Sequence, residues 1–268
     1  MCQNYNKQDR KNMNFKNIRI TVLLLILGSI LINTFLDQKR ATSWKHALRV
    51  VIYPINADGR DATDQYISTL STSQFDSFND LLIKESTRYG LNLSTPIYFQ
   101  LAPPIKSLPP AIPKNGNTLS IMWWSLKLRY WTWKTDNHTG IKPHIRAYAL
   151  FFDPKVHKGL AHSTGLKKSK VALIQLFANK KYEKQNNVII LHELFHTLGA
   201  TDKYDLRTNQ PTFPEGYAEP NRKPVYPQRK AEIMGGRIPI SPTTFKTASG
   251  LSKTIIGPIT AKEIGWSK

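Results

Sequence analysis

The sequence predicts an α+β fold that is preceded by one N-terminal membrane-spanning helix. Three observations carry this prediction. An uncharged apolar run occupies residues 20–36, segments rich in β-branched residues alternate with amphipathic segments between residues 47 and 198, and proline and glycine are frequent over residues 199–242. A composition of 40% hydrophobic and 21% charged residues is that of a folded domain and excludes a disordered chain.

The apolar run over residues 20–36 is expected to be an uncleaved transmembrane signal-anchor. It would follow a cytoplasmic tail over residues 1–19 and precede a linker over residues 37–46. Its length is at the lower limit for a membrane-spanning helix. A cleaved signal peptide is the alternative, but the end of the run lacks the small residues of a cleavage site. The flanking basic residues slightly favour a cytoplasmic N-terminus and an extracytoplasmic (periplasmic or extracellular) location for residues 47–268.

The domain over residues 47–268 is expected to begin with a buried strand over residues 47–55, because this segment is apolar and β-branched. An amphipathic helix over residues 64–89 would follow and end at Gly90. A short edge strand within residues 159–165 would allow an extended peptide to bind by strand addition. The other predicted elements are strands over 96–102, 144–152 and 171–178, a proline-rich loop over 103–116, and helices over 118–134, 183–198 and 260–266.

The segment over residues 118–134 contains four of the six tryptophans of the chain. We predict a helix, although residues 126–130 alternate between apolar and polar as a strand would. The tryptophans are expected to pack in the core, and a belt at a membrane surface is the alternative.

The formal net charge of +20 points to acidic partners. Residues 1–36 carry five basic side chains and one acidic side chain, which leaves +16 for residues 37–268. The basic residues are scattered, so we expect a solvated basic surface, with an anionic surface or polymer as a further partner and no specific nucleic acid. The single cysteine, Cys2, excludes a disulfide within the chain and a thiolate metal cluster.

The segment His192-Glu193-Leu194-Phe195-His196 carries the strongest chemical signal. Residues four apart lie on the same face of a helix, so both imidazoles can reach one zinc ion at about 2.0–2.1 Å. Glu193 would lie beside the metal and could take a proton from a water molecule there. The pattern therefore predicts two zinc ligands and a catalytic base on the helix over residues 183–198.

The residues after the helix suggest the third ligand. Gly199 can end the helix and turn the chain, because glycine adopts the left-handed conformation. The turn would bring the Asp202 carboxylate to the same metal, so that His192, His196 and Asp202 leave the fourth position open, as a catalytic zinc requires. Three other carboxylates remain as alternative third ligands: Asp205, Glu215 and Glu219.

The pattern His192-Glu193-x-x-His196-x-x-Gly199-x-x-Asp202 resembles the zinc signature of the metzincin metallopeptidases, in the variant with aspartate as third ligand. Ala231-Glu232-Ile233-Met234-Gly235-Gly236 resembles the methionine turn that those enzymes place beneath the metal. The resemblance implies a zincin fold with a mixed β-sheet in an upper subdomain, an active-site helix and an irregular lower subdomain. The family's tyrosine after that turn is replaced here by Gly235-Gly236-Arg237, so any catalytic tyrosine would have to be another, with Tyr204 and Tyr217 as candidates that are more simply structural.

These observations predict a zinc-dependent endopeptidase that hydrolyses a polypeptide through a metal-activated water, with one catalytic zinc ion and Glu193 as general base. The alternative is a membrane-tethered basic protein that binds an anionic polymer or surface, with a structural zinc or none. Four further histidines have no ligand-like spacing and are expected not to bind the metal: His138, His144, His157 and His162.

Overall fold

A computed structural model describes residues 15–113 and 116–267. The chain divides into two units, with the boundary after Arg40. The predicted tail over residues 1–19 lies largely outside the described residues, and so does Cys2.

The described residues of the first unit lie in one helix, α1 (Phe15–Ala41), which includes the apolar run and ends one residue beyond the unit boundary. Among the described residues, no helix combines the length and the apolar character that crossing a bilayer requires. The predicted helix is thus confirmed, but the prediction of a transmembrane signal-anchor is not. The predicted extracytoplasmic location stays a prediction.

The second unit is built on a five-stranded sheet in the order β2-β1-β3-β5-β4. The pairs β2-β1, β1-β3 and β3-β5 are parallel, and β4 is an antiparallel edge strand on β5. Strands buried on both faces read as nearly continuous apolar runs, which is why their positions were predictable. The strand bounds are β1 (Leu48–Asn56), β2 (Ile97–Leu101), β3 (Ile145–Phe152), β4 (Thr164–Leu166) and β5 (Val171–Phe177).

Helices cover both faces of this sheet. On one face α2 (Asp61–Ser68), α3 (Asp76–Arg88) and α5 (Glu183–Leu198) pack against side chains that include Val50 and Ile52 of β1. On the other face α4 (Thr118–Thr135) packs against the alternate side chains, which include Val51 and Tyr53. The segregation follows from the alternation of side chains along a strand.

The prediction of one continuous helix over residues 64–89 is wrong. The chain forms α2, a 3₁₀ turn at Thr72–Phe75 and then α3, with a break around Ser71. Serine and threonine side chains compete for backbone groups there, since the hydroxyls of Ser68 and Thr69 donate to the carbonyls of Gln65 and Tyr66. The helical segment over residues 118–134 is confirmed as α4, whose N-terminus is capped by Asn117 through a 2.7 Å bond from the Ser120 amide.

The part of the chain after Gly199 is irregular, as its proline and glycine content predicts. It contains two small two-stranded sheets, one parallel and one antiparallel. Their strands and the last helix are β6 (Ala231–Glu232), β7 (Arg237–Pro239), β8 (Phe245–Thr247), β9 (Thr254–Ile255) and α6 (Pro258–Glu263). The fold is therefore α+β with a mixed, mostly parallel sheet, as predicted.

Candidate metal centre

The helix α5 presents His192, Glu193 and His196 to one point at its C-terminal end. The ligand atoms of these three side chains all lie within 4.8 Å of one another, so that they could hold a metal ion. The helix is anchored because Leu191, Leu194, Phe195 and Leu198 are fully buried in the core. Its C-terminal position is thus set by apolar packing, which leaves the histidine face directed toward the irregular part of the chain.

The turn after α5 brings Asp202 to the same point. Gly199 has a φ of +121°, and its amide donates to the carbonyls of Phe195 and His196 while the Ala200 amide donates to Phe195. This closes the helix and reverses the chain. One oxygen of Asp202, Oδ1, lies 3.1 Å from Nε2 of His192 and 3.2 Å from Nε2 of His196.

The alternative carboxylates have other surroundings. Asp205 is half-buried, and its Oδ1 accepts from the amides of Arg207 and Thr208. Glu219 forms an ion pair with Arg229 at 2.9 Å, and Glu215 is exposed.

The arrangement of these three atoms suits a shared metal ion better than direct contact among the atoms themselves. The Nε2 atoms of His192 and His196 are 3.0 Å apart, and ligand atoms around a tetrahedral zinc with bonds of about 2.0–2.1 Å are about 3.3 Å apart. The Nδ1 atoms lie 3.0 Å from the Ile233 carbonyl and 2.8 Å from the Ala200 carbonyl. A carbonyl can only accept, so each Nδ1 carries the proton and each Nε2 is an acceptor. Together with Asp202 Oδ1, three acceptors thus face one another, and a shared cation relieves their repulsion.

The surroundings shift the pKa values of the two carboxylates of the site in opposite directions. Burial raises the pKa of Glu193, and the nearby imidazoles offset this only in part. Burial alone would also raise the pKa of Asp202, but the adjacent imidazoles of His192 and His196, which can donate to this carboxylate when they are protonated, outweigh burial and hold that pKa below its usual value. Burial likewise would lower the pKa of His196, and Asp202 reverses this and raises it. Asp202 is therefore suited to stay charged, and Glu193 is the more basic carboxylate.

The segment that resembles a methionine turn lies directly beside the His192 imidazole. Met234 is fully buried, the preceding carbonyl of Ile233 accepts from His192, and the carbonyl of Met234 accepts from the Lys203 amide at 2.9 Å. The turn therefore orients one histidine directly and holds the residue next to Asp202.

Glu232 holds this turn in place, a role that the sequence analysis missed. The side chain is fully buried, and its Oε2 accepts from the amides of Met234 at 2.6 Å and Gly235 at 2.8 Å. Its Oε1 accepts from the Gly257 amide at 3.0 Å, and burial raises its pKa. A single acidic residue inside an otherwise apolar turn was the only available signal. The sequence pattern does not reveal that this carboxylate accepts hydrogen bonds from three amides in two segments of the chain.

Replacing Glu232 by alanine is expected to lower the free energy of unfolding by about 3 kcal/mol or more, because three buried amides lose their acceptor. The Met234→Leu variant is the matched control, since it keeps the backbone of the turn and should cost only about 1 kcal/mol with metal retained. Urea unfolding of both variants measures the difference. An alanine variant that is no less stable than Met234→Leu would contradict this role.

A second missed contact is a partly buried ion pair next to Asp202. Lys203 is only 3% exposed, and its Nζ lies 2.8 Å from Oε2 of Glu263 and 2.7 Å from the Thr201 hydroxyl. The pair links the turn after α5 to α6, so it fixes the backbone on which Asp202 stands.

The edge strand β4 borders the site. A short edge strand is thus present as predicted, but it begins only at Thr164, near the end of the predicted segment over residues 159–165. Gly165 packs so closely on α5 that any side chain there would collide with the Glu193 carbonyl oxygen. Its amide donates to the Glu193 carboxylate.

On the opposite face of the sheet, a cavity of about 180 Å³ separates β4 and β5 from the proline-rich loop and is lined in part by Leu108, His162 and Thr164.

Of the two candidate tyrosines, only Tyr204 lies near the described ligand atoms. Its ring centroid is 6.2 Å from that of His192, and its hydroxyl interacts with Asp202. Burial, followed by the negative charge of Asp202, raises the pKa of Tyr204 to about 12, so the phenol stays protonated and can donate to that carboxylate. Tyr217 instead shares a 2.7 Å hydrogen bond with Tyr226.

No family model, no curated protein and no solved structure matches this chain. The part of the metzincin resemblance that the structure bears out is thus the placement of His192, Glu193 and His196 on one helix as a group that could hold a metal.

Proposed function

We propose that this protein is a zinc-dependent endopeptidase with a metzincin-like site. The observation that carries the proposal is the triangle of His192 Nε2, His196 Nε2 and Asp202 Oδ1, with sides of 3.0, 3.1 and 3.2 Å, beside the buried Glu193. Two imidazoles and one carboxylate are a donor set typical of catalytic zinc sites, which keep the fourth position for water or substrate. When bound, the metal would polarise the scissile carbonyl and acidify a water molecule.

Glu193 is proposed to move the proton. Its Oε2 is buried and has no hydrogen-bond partner among the described residues, and burial raises the pKa of the carboxyl. A buried carboxylate of raised pKa is a better base near neutral pH, and once protonated it is an acid that can pass the proton to the leaving amine. Both proton transfers can therefore be served by this one side chain.

The two histidines and Asp202 are proposed to be held ready for the metal by the surrounding backbone. Hydrogen bonds from each Nδ1 to a carbonyl fix the ring orientation and the tautomer, and such outer contacts increase metal affinity. Tyr204 would orient Asp202 in the same way through its phenol. The aspartate also brings a negative charge, which the two neutral imidazoles lack.

The free edge of β4 is the proposed binding site for an extended polypeptide. The Gly165 amide points to Glu193 and away from β5. In an antiparallel pair the N–H and C=O of one residue face the same side, so the Gly165 carbonyl also faces the free edge. A substrate strand could donate to the Gly165 carbonyl there and present its scissile bond to Glu193.

The competing proposal is a basic protein that binds an anionic polymer or surface, with a structural metal or none. The net charge of +20 favours it. A closed structural zinc site needs four protein ligands. The described residues at this centre supply two imidazoles, Asp202 and Glu193, so in a structural site Glu193 would have to bind the metal instead of acting as a base.

The test is metal removal and replacement in the full chain. The endopeptidase proposal predicts about one zinc per chain by elemental analysis and hydrolysis of an unfolded protein such as casein. A chelator should abolish this hydrolysis, and added zinc should restore it. Stoichiometric zinc without hydrolysis of any of a set of unfolded proteins would favour the polymer-binding alternative, and absence of zinc binding would refute the proposed centre.

A further inference from the structure

The helix α4 carries a continuous apolar face that is exposed to solvent. Apart from the adjacent pair Met122 and Trp123, its residues recur every three or four positions, and they therefore lie on one side of the helix. Each side chain is between 57 and 78% exposed, which is unusual for large apolar residues in such number. We call this set the outer face of α4: Leu119, Met122, Trp123, Leu126, Tyr130 and Trp133.

The opposite side of α4 fixes the helix to the sheet. Trp124 and Leu128 are buried in the core on that side. The indole of Trp124 donates to the Pro110 carbonyl at 2.9 Å, and that of Trp131 donates to the Ser107 hydroxyl at 3.1 Å. The outer face is thus presented by a rigidly held helix and cannot turn into the core.

The charged side chains of α4 that border the outer face are all positive. Lys127, Arg129 and Lys134 are exposed, and α4 contains no acidic residue. The ammonium of Lys127 lies 5.6 Å from the ring centroid of Trp123. The adjoining Asp136 does not offset these charges, because it is paired with Arg146 at 2.7 Å.

We infer that the outer face of α4 binds the surface of an anionic lipid bilayer. Tryptophan and tyrosine beside aliphatic residues, flanked by lysine and arginine, suit the boundary between acyl chains and anionic headgroups. A second copy of the chain is disfavoured, since a two-fold contact would bring the same basic flanks together. Nucleic acid is disfavoured because Leu119, Met122 and Leu126 supply neither stacking nor hydrogen bonds. The inference is independent of the proposed peptidase activity.

The experiment uses tryptophan emission of the full chain, since α1 contains no tryptophan and cannot contribute to the signal. Vesicles of phosphatidylglycerol and phosphatidylcholine with brominated acyl chains should shift the emission to the blue and quench it. Vesicles of phosphatidylcholine alone should do so far less. In the variant with Trp123→Phe and Trp133→Phe, most of the quenching should disappear while co-sedimentation with the vesicles persists.

A charge variant with Lys127→Glu and Lys134→Glu should weaken binding to anionic vesicles at least ten-fold. The matched control is Lys180→Glu with Lys181→Glu, which changes the net charge equally at two exposed lysines away from α4 and should change binding less than three-fold. Because all these side chains are exposed, zinc content and near-ultraviolet circular dichroism should match those of the parent.

Three outcomes would overturn the inference. The first is emission that anionic vesicles do not quench, and the second is equal weakening by the two lysine pairs. The third is protection of Trp123 and Trp133 only by a single-stranded oligonucleotide or only at high protein concentration, which would assign the face to nucleic acid or to a second copy.

Discussion

Replacing Glu193 by alanine is expected to reduce peptide hydrolysis by about 10³-fold or more while the protein keeps its metal. The carboxylate is proposed to act as base and then as acid, so its removal eliminates both proton transfers. It is not one of the three atoms that form the 3.0–3.2 Å triangle, so metal affinity should change little. Hydrolysis of casein and elemental zinc analysis on the same preparation measure the two quantities.

The Glu193→Gln variant sharpens this test because it keeps the size of the side chain and the hydrogen bond from the Gly165 amide. It should be as inactive as the alanine variant and as stable as the parent. Glu215→Ala, which removes an exposed carboxylate, is the control and should retain full activity. Appreciable hydrolysis by Glu193→Gln would exclude Glu193 as the proton carrier, and loss of zinc in both Glu193 variants would make it a ligand instead.

Replacing Asp202 by alanine is expected to weaken zinc binding by on the order of 100-fold or more and to abolish hydrolysis. The variant removes one of three converging ligand atoms and the charge that partly neutralises the metal. Asp202→His should retain metal, because an imidazole reaches zinc at a similar bond length. Zinc stoichiometry after dialysis against a graded chelator measures both effects.

Two neighbouring carboxylates provide the controls for Asp202. Asp205→Ala and Glu215→Ala should change zinc affinity little, since Asp205 caps its own loop and Glu215 is exposed. An Asp202→Ala protein that holds zinc like the parent, together with loss of zinc in either control, would refute the proposed ligand set. The pair of His192 and His196 could then still bind metal with a different third ligand.

Local patterns were sufficient to predict most elements of the second unit. The strands β1, β2, β3 and β5 are apolar because helices cover both faces of the sheet, and such runs are visible without any tertiary information. The same holds for α5, whose bounds agree with the prediction. The predicted helix over residues 64–89 failed because side-chain hydroxyls that bond to the backbone interrupt it without disturbing its hydrophobic period.

The exposed tryptophans illustrate what a pattern cannot assign. Core packing was predicted for the cluster, and the structure divides it: Trp124 is buried, whereas Trp123 and Trp133 are exposed. A helix that is apolar on nearly all sides does not reveal which side meets the sheet. That choice depends on the loop over residues 103–113, in which the Pro110 carbonyl accepts a hydrogen bond from the indole of Trp124.

The sequence by itself determined the group His192, Glu193 and His196, because helical geometry alone places residues four apart on one face. It also indicated Asp202, since a helix-ending glycine limits where the chain can go next. Only the tertiary structure revealed the carbonyls of Ile233 and Ala200 behind the imidazoles, the Glu232 carboxylate under the turn and the pairing of Lys203 with Glu263. Two of these contacts, that of His192 with Ile233 and that of Lys203 with Glu263, join residues tens of positions apart. A contact between such distant segments leaves no period or spacing in the sequence from which it could be predicted.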